Sequence, residues 1–197
     1  MPASLDDQIR DLLAQGKTAE ATTRALRELG PEILGFLCGV LGEGDGDEAF
    51  SAFSERLWKS LHGFEGRCTL RTWAYVLARN EISRFRRGRR RHVEGRVPIS
   101  DYQEVLEVVR KTRSTLVAER RDTLTRLRNE LPIEDRTLLI LRVDRDLSFE
   151  EIALAFADNP EVVNQLDLKR EVARLRKRFQ LIKDRLMARV KKLRGGS

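Results

Sequence analysis

Leu168, Val172, Leu175, Phe179, Ile182, Leu186, Val190 and Leu193 follow one another at steps of three and four. That spacing lines one face of an α-helix and cannot line one face of a strand. A helix from near Asp167 to Leu193 is therefore expected, and the rest of the chain must be compatible with it. Similar spacing recurs upstream, punctuated at Gly16, at Gly30-Pro31, over residues 42–47 and over residues 63–66. Of the 197 residues 41% are apolar, 35% charged and 6% aromatic. This mixture, rich in Arg, Leu, Glu and Ala, favours helices over strands. The expected fold class is all-α.

In the first half, a helix is expected to begin near Asp45, capped together with Glu48. It carries Phe50, Phe53, Leu57, Trp58 and Leu61 along one apolar face, which core packing explains. The next begins at Thr69, a good N-cap, and runs through Leu70, Trp73, Val76, Leu77, Ile82 and Phe85 into an arginine block ending at Arg91. Residues 92–115, which include Pro98, lose this regularity and read as a linker, with a marginal helix over residues 104–109. A second helical set follows over 116–130, around 138–141 and over 148–156, the last opened by a capping box of Ser148 and Glu151. The helices on either side of Asp146 have the proportions of a helix-turn-helix. The expected organisation is two small helical domains, 1–91 and 116–194, joined by the linker 92–115.

Charge is unevenly distributed. Residues 1–66 hold 6 Lys/Arg against 12 Asp/Glu, and residues 67–197 hold 32 against 19, within a net charge of +7. The basic part calls for a polyanion, of which nucleic acid is the foremost example, and the acidic part suits a basic protein surface. Cys38 and Cys68 lack the spacing of a disulfide framework or zinc site. The longest apolar stretch, 33–41, is broken by Gly35 and Gly39, and it falls well short of the roughly 18 residues that cross a bilayer. A soluble, cytoplasmic protein without membrane association is expected.

No HExxH, Walker loop, GxSxG or metal-spaced His/Cys group is present, so an enzyme, a metal, a cofactor and a small-molecule substrate are not expected. His62 and His92 flank loops and read as surface residues. Residues 42–48 lack the alternating oxygen ligands and distant Glu of a calcium loop. Glu151 is accounted for by its capping box and Glu150 by solvent.

Two stretches carry a resemblance. The first is Phe53-Ser54-Glu55-Arg56-Leu57-Trp58, then Phe64-Glu65-Gly66, then Thr69-Leu70-Arg71-Thr72-Trp73-Ala74-Tyr75-Val76-Leu77-Ala78-Arg79-Asn80 and the arginine block. The second is Leu131-Pro132, Asp135-Arg136, Leu139, Leu141-Arg142 and Leu147-Ser148-Phe149-Glu150-Glu151-Ile152-Ala153. In order and spacing they resemble the second and fourth regions of extracytoplasmic-function (ECF) sigma factors, compact members of the sigma-70 superfamily of bacterial transcription initiation factors. The resemblance implies that the first domain docks on core RNA polymerase through Phe50, Phe53, Leu57 and Trp58. It implies that a loop from Phe64 to Thr69 captures an extruded promoter base, with Arg67, Arg71 and Trp73 serving it, and that Asn80, Arg84, Arg87 and Arg90 contact the upstream duplex and backbone. The second domain would read the minus-thirty-five box through Arg174, Arg176, Lys177 and Arg178.

Core RNA polymerase and promoter DNA are thus the implied partners, and an anti-sigma factor is the inhibitor that usually restrains such proteins. The sequence departs from relatives at Ser51 and Ala52, where many carry Gln-Glu, and over residues 157–166, where they make a tight turn. Trp73 also reads as plain core, and the last helix also reads as a coiled-coil seam. The rival function is a stand-alone helix-turn-helix repressor or activator, which would bind duplex DNA without polymerase. An adaptor binding protein alone would have no use for the two basic blocks.

Overall fold

The computed structural model describes residues 3–88, 105–110, 127–157 and 162–194, and all of their regular structure is helical. The chain divides into two compact units, residues 1–120 and 121–197. The expected helix over 104–109 is present at 105–110, whereas most of the helix expected over 116–130 lies outside the described residues.

The first unit is built from α1 (Leu5–Ala14), α2 (Thr18–Leu41), α3 (Glu43–Ser60) and α4 (Leu70–Arg86), with a 3-10 turn at Leu61–Gly63. Ser4 caps α1 in a reciprocal box with Asp7. The Ser4 hydroxyl, then Arg10, hold the Asp7 carboxyl below the ordinary carboxylate range. Ile9 anchors α1, with none of its surface exposed. The core gathers Leu26, Ile33, Leu37, Phe50, Phe53, Leu61 and Leu70, with Phe36 set edge-on to Tyr75 at 5.2 Å between ring centroids.

Two expectations change here. Gly30-Pro31 does not break the chain; both lie inside α2. Proline inside a helix costs about 3 kcal/mol through the lost hydrogen bond and ring clash. Leu26 and Ala25 on one side and Ile33 and Leu34 on the other are all buried, and fixing both turns in one packed helix outweighs that cost. Nor does a cap at Asp45 open α3. Gly42, at φ +94°, ends α2 and starts α3 with no side-chain cap. A residue with a Cβ adopts that angle only under strain, so the hairpin turns on a single glycine. Four residues on, Gly46 lies so close to α2 that a Cβ would stand 2.6 Å from the Cys38 nitrogen and 2.6 Å from its Sγ.

Part of the expected linker also packs. Val105, Leu106 and Val109 are buried, and Val109 lies against Gly30. Arg110 donates to Asp47 of α3 at 2.7 Å and 3.1 Å.

The second unit contains α5 (Ile133–Leu139), α6 (Phe149–Phe156) and α7 (Gln165–Arg194). Beyond α5 the winding relaxes into a π turn at Ile140–Asp144, and Asp146 follows at φ +51°. The capping box is present: Glu151 N–H donates to the Ser148 hydroxyl at 3.1 Å, and Ser148 N–H donates to the Glu151 carboxylate at 2.8 Å. Asn164 caps α7 by accepting from the Asp167 N–H at 2.9 Å, so this helix starts slightly before the expected Asp167. Leu138, Leu141, Leu147, Ile152, Ala155, Val172, Leu175 and Ile182 close the core. Half-buried Arg136 donates to the carbonyls of Arg128 and Leu131, at 3.1 Å and 3.2 Å, and also to that of Asn129, tying the chain ahead of α5 to its first turn. Burial lowers the pKa of its guanidinium.

Candidate nucleic-acid interface

Two cationic surfaces stand out, the loop and length of α4 in the first unit and the outer face of α7 in the second. Each also contains arginines that the fold itself uses.

The loop before α4 is anchored from below. Phe64 and Trp73 are both buried, at 7% and 8% exposure, with ring centroids 5.5 Å apart. Trp73 is therefore a core residue that supports the loop from beneath. Thr69 caps α4, its hydroxyl accepting from the Thr72 N–H at 3.1 Å. The Arg71 Nε donates to both Glu32 oxygens, at 3.0 Å and 3.2 Å, and the Tyr75 hydroxyl donates to the same carboxylate at 2.7 Å. The Arg71 guanidinium also lies over the Tyr75 ring, 5.6 Å from its centroid. Glu32 thus fixes Arg71 between α2 and α4. Arg67 differs, being 57% exposed in an ion pair with the equally exposed Glu65. Of the residues expected to serve base capture, Arg67 and Thr69 reach the surface, while Phe64 and Trp73 form their support.

At the far end of α4, Glu81 is buried at 7% exposure and holds Arg56 at 2.7 Å and Arg84 at 2.9 Å. Asn80 is half-buried, and Arg86 and Arg87 are exposed. Cations in this last turn oppose the partial negative charge of the helix end. Arg90 lies outside the described residues, as does His92.

The expected polymerase-docking set divides as well. Phe50, Phe53 and Leu57 are interior, with at most 2% exposure, because the apolar stripe of α3 faces α2 and α4. They set the position of α3 rather than offer a surface. Trp58 is half-buried, and Glu48, Ser51, Ala52, Glu55 and Lys59 make up the accessible side.

On α7, Arg178 is turned inward. Its Nε meets Asp135 at 2.6 Å and its Nη1 meets Glu134 at 3.1 Å, Asp135 being only 5% exposed. Burial acts to lower the Arg178 pKa, but Asp135 and then Glu134 raise it further, and the net direction is upward. Arg174 is held within its own helix by Glu171 at 2.8 Å and 2.6 Å, which raises its pKa. Arg176 is 61% exposed, meets Glu150 at 3.4 Å, and lies over the Phe149 ring 5.6 Å from its centroid. Arg142 lies over the same ring at 5.5 Å. Lys177 is exposed. Of the carboxylates that sort these arginines, Glu32 and Glu81 do not stand out in the sequence, and Asp135 stands out only within the second resembling stretch. Their signal was an acid placed within or beside an apolar helical run.

Among the described residues no group of three or more His, Cys, Asp or Glu side chains is placed to hold a metal ion. Among the same residues no helix is long and apolar enough to cross a membrane. Chemically the two surfaces can bind an anion and position it, and they offer charge and hydrogen-bond donors.

Residues 25–92 match the family model for Sigma-70 region 2. The match takes in most of α2, all of α3 and all of α4, and leaves α1 outside it. No curated protein matches the chain.

Proposed function

We propose that the protein is a sigma factor of the extracytoplasmic-function type, which binds core RNA polymerase, directs it to promoters and assists strand opening. One observation carries this reading: the Sigma-70 region 2 match falls on a helical unit in which α4 rises from an anchored loop and ends in exposed arginines. An unstacked base costs a few kcal/mol to extrude, and a loop that holds its shape can offset that cost, whereas a loose one must first be ordered. Phe64 and Trp73 supply that stiffness here, and Arg67 supplies an accessible donor.

In this reading the second unit is a helix-turn-helix domain that reads the minus-thirty-five box with α7. Arg176 and Lys177 are the base-facing candidates, since Arg174 and Arg178 already have carboxylate partners at short distance. The cytoplasm follows as its location, and an anti-sigma factor as a further partner.

Capture of core RNA polymerase by the full chain, followed by permanganate mapping of unpaired thymines on promoter DNA, tests the proposal. The expected result is a stable complex that opens DNA only when polymerase is present. Tight binding to duplex DNA without polymerase, and no capture of the enzyme, would instead establish a repressor or activator. Arg67→Ala should lower thymine reactivity with core affinity unchanged. Arg71→Ala should act first on stability, by about 0.5–1 kcal/mol for a partly exposed pair.

A further inference from the structure

The helix outside the Sigma-70 region 2 match touches the loop at two points. The Asp6 carboxylate accepts from the backbone N–H of Leu70 through both oxygens, each at 3.2 Å, across 64 positions of sequence. Leu70 is the first residue of α4, where N–H groups have no partner within the helix and the helix dipole is positive. Thr69 already serves the Thr72 N–H, so Asp6 completes a cap supplied in two parts by two helices. One turn further along α1, the Arg10 side chain runs beside Gly66, which sits at φ +74° in the loop; a Cβ there would meet Arg10 Cδ at 3.4 Å. Ile9, between these two contacts, is fully buried and fixes α1 against the bundle.

We infer that α1 is a brace for the loop at residues 64–69, and that Asp6 is a positioning residue for promoter opening. The inference rests on the sigma-factor reading and deepens it. Asp6 faces the backbone of α4 and takes no part in binding DNA. Its carboxylate fixes where the loop ends and the helix begins, and so fixes the direction in which Arg67 and the exposed side of Thr69 are presented. A carboxylate at a helix start takes up an N–H that has no partner within the helix and meets the positive end of the helix dipole. Losing it leaves the loop a wider range of conformations to search before a base can be held.

The experiment uses the full chain with core RNA polymerase and compares wild type, Asp6→Ala, Asp6→Asn and Asp11→Ala. Asp11 is exposed on the same helix and serves as the control. For each, core affinity, permanganate reactivity and the hydrogen-exchange rate of the Leu70 amide are measured. Asp6→Ala is expected to reduce open-complex formation roughly tenfold, the factor a bond to a charged group is worth. Core affinity should stay within about twofold and the Leu70 amide should exchange faster. Asp6→Asn keeps an acceptor oxygen and should fall between the two, while Asp11→Ala should match wild type. The brace is overturned if Asp6→Ala opens promoters as wild type does, or if core affinity and opening decline together with thermal stability. A wild-type chain that opens no promoter removes the sigma-factor reading itself. Faster Leu70 exchange in Asp6→Ala would then still record the cap, without its functional meaning.

Discussion

Arg178 and Lys177 are adjacent in sequence, and their fates show how far residue type alone can be read. Both belong to a basic helix, and both were expected to face DNA. The buried Asp135 takes Arg178 at 2.6 Å, with Arg185 behind it at 3.6 Å, while Lys177 stays in solvent. Removing one partner of a buried pair leaves a charge without compensation, and the usual cost is about 3–5 kcal/mol. Because Arg185 can partly replace it, Arg178→Ala should lower the unfolding free energy by about 2 kcal/mol, read from urea denaturation. Lys177→Ala should stay within about 0.5 kcal/mol of wild type, as surface substitutions do. Equal stability of the two variants would return Arg178 to the reading surface. The same sorting applies to Trp73, which is buried. Periodicity registers which face a residue occupies, and for Trp73 it left both core packing and base contact open. It is silent about long-range acids such as Glu32 and Asp135, which decide the direction of Arg71 and Arg178.

At the scale of elements, chemistry between near neighbours is more legible than packing between distant ones, although the cap expected at Asp45 is absent. The capping box at Ser148, the cap at Thr69 and the long periodic helix α7 depend on neighbours within a few positions, and each was legible. The continuity of α2 through Pro31 was not, because it depends on packing at both ends of the helix. The packing of Val105, Leu106 and Val109 is hidden for a related reason. Three apolar residues, Val105, Leu106 and Val109, mark a marginal helix without saying what it packs on, and a glycine opposite Val109 provides the seat. A Cβ at Gly30 would stand 2.9 Å and 3.2 Å from the two methyl groups of Val109. Gly30→Ala is therefore expected to destabilise the first unit by about 1–2 kcal/mol despite the better helix propensity of alanine. Val109→Ala should cost a similar amount alone through its cavity. The double variant should be more stable than the sum of the two losses, by at least about 0.5 kcal/mol in a urea double-mutant cycle. Strict additivity would mean that these residues do not share a contact.

The described residues form two helical units, and each has its own buried centre, around Phe36 and Phe50 in one and Leu138 and Leu175 in the other. Separate production of residues 1–120 and 121–197 should therefore give two helical fragments, each with a cooperative thermal transition. The shorter should melt at the lower temperature, since small domains bury a smaller share of their surface. Loss of cooperative melting in either fragment would contradict the division. Charge and the all-helical class were legible at this scale because they sum over many residues. The close approach of α2 and α3 at Gly46 was not, since one missing side chain permits it and nothing nearby announces it. That approach leaves Cys38 beneath the hairpin at 5% exposure, whereas Cys68 is half-buried within the loop before α4. Alkylating dyes react with accessible thiolates, so the native chain should take up a single label, and take it up beside Arg67. The loop that the proposed mechanism depends on thus comes with its own attachment point for a fluorophore, and promoter capture can be followed as an optical signal without altering one residue.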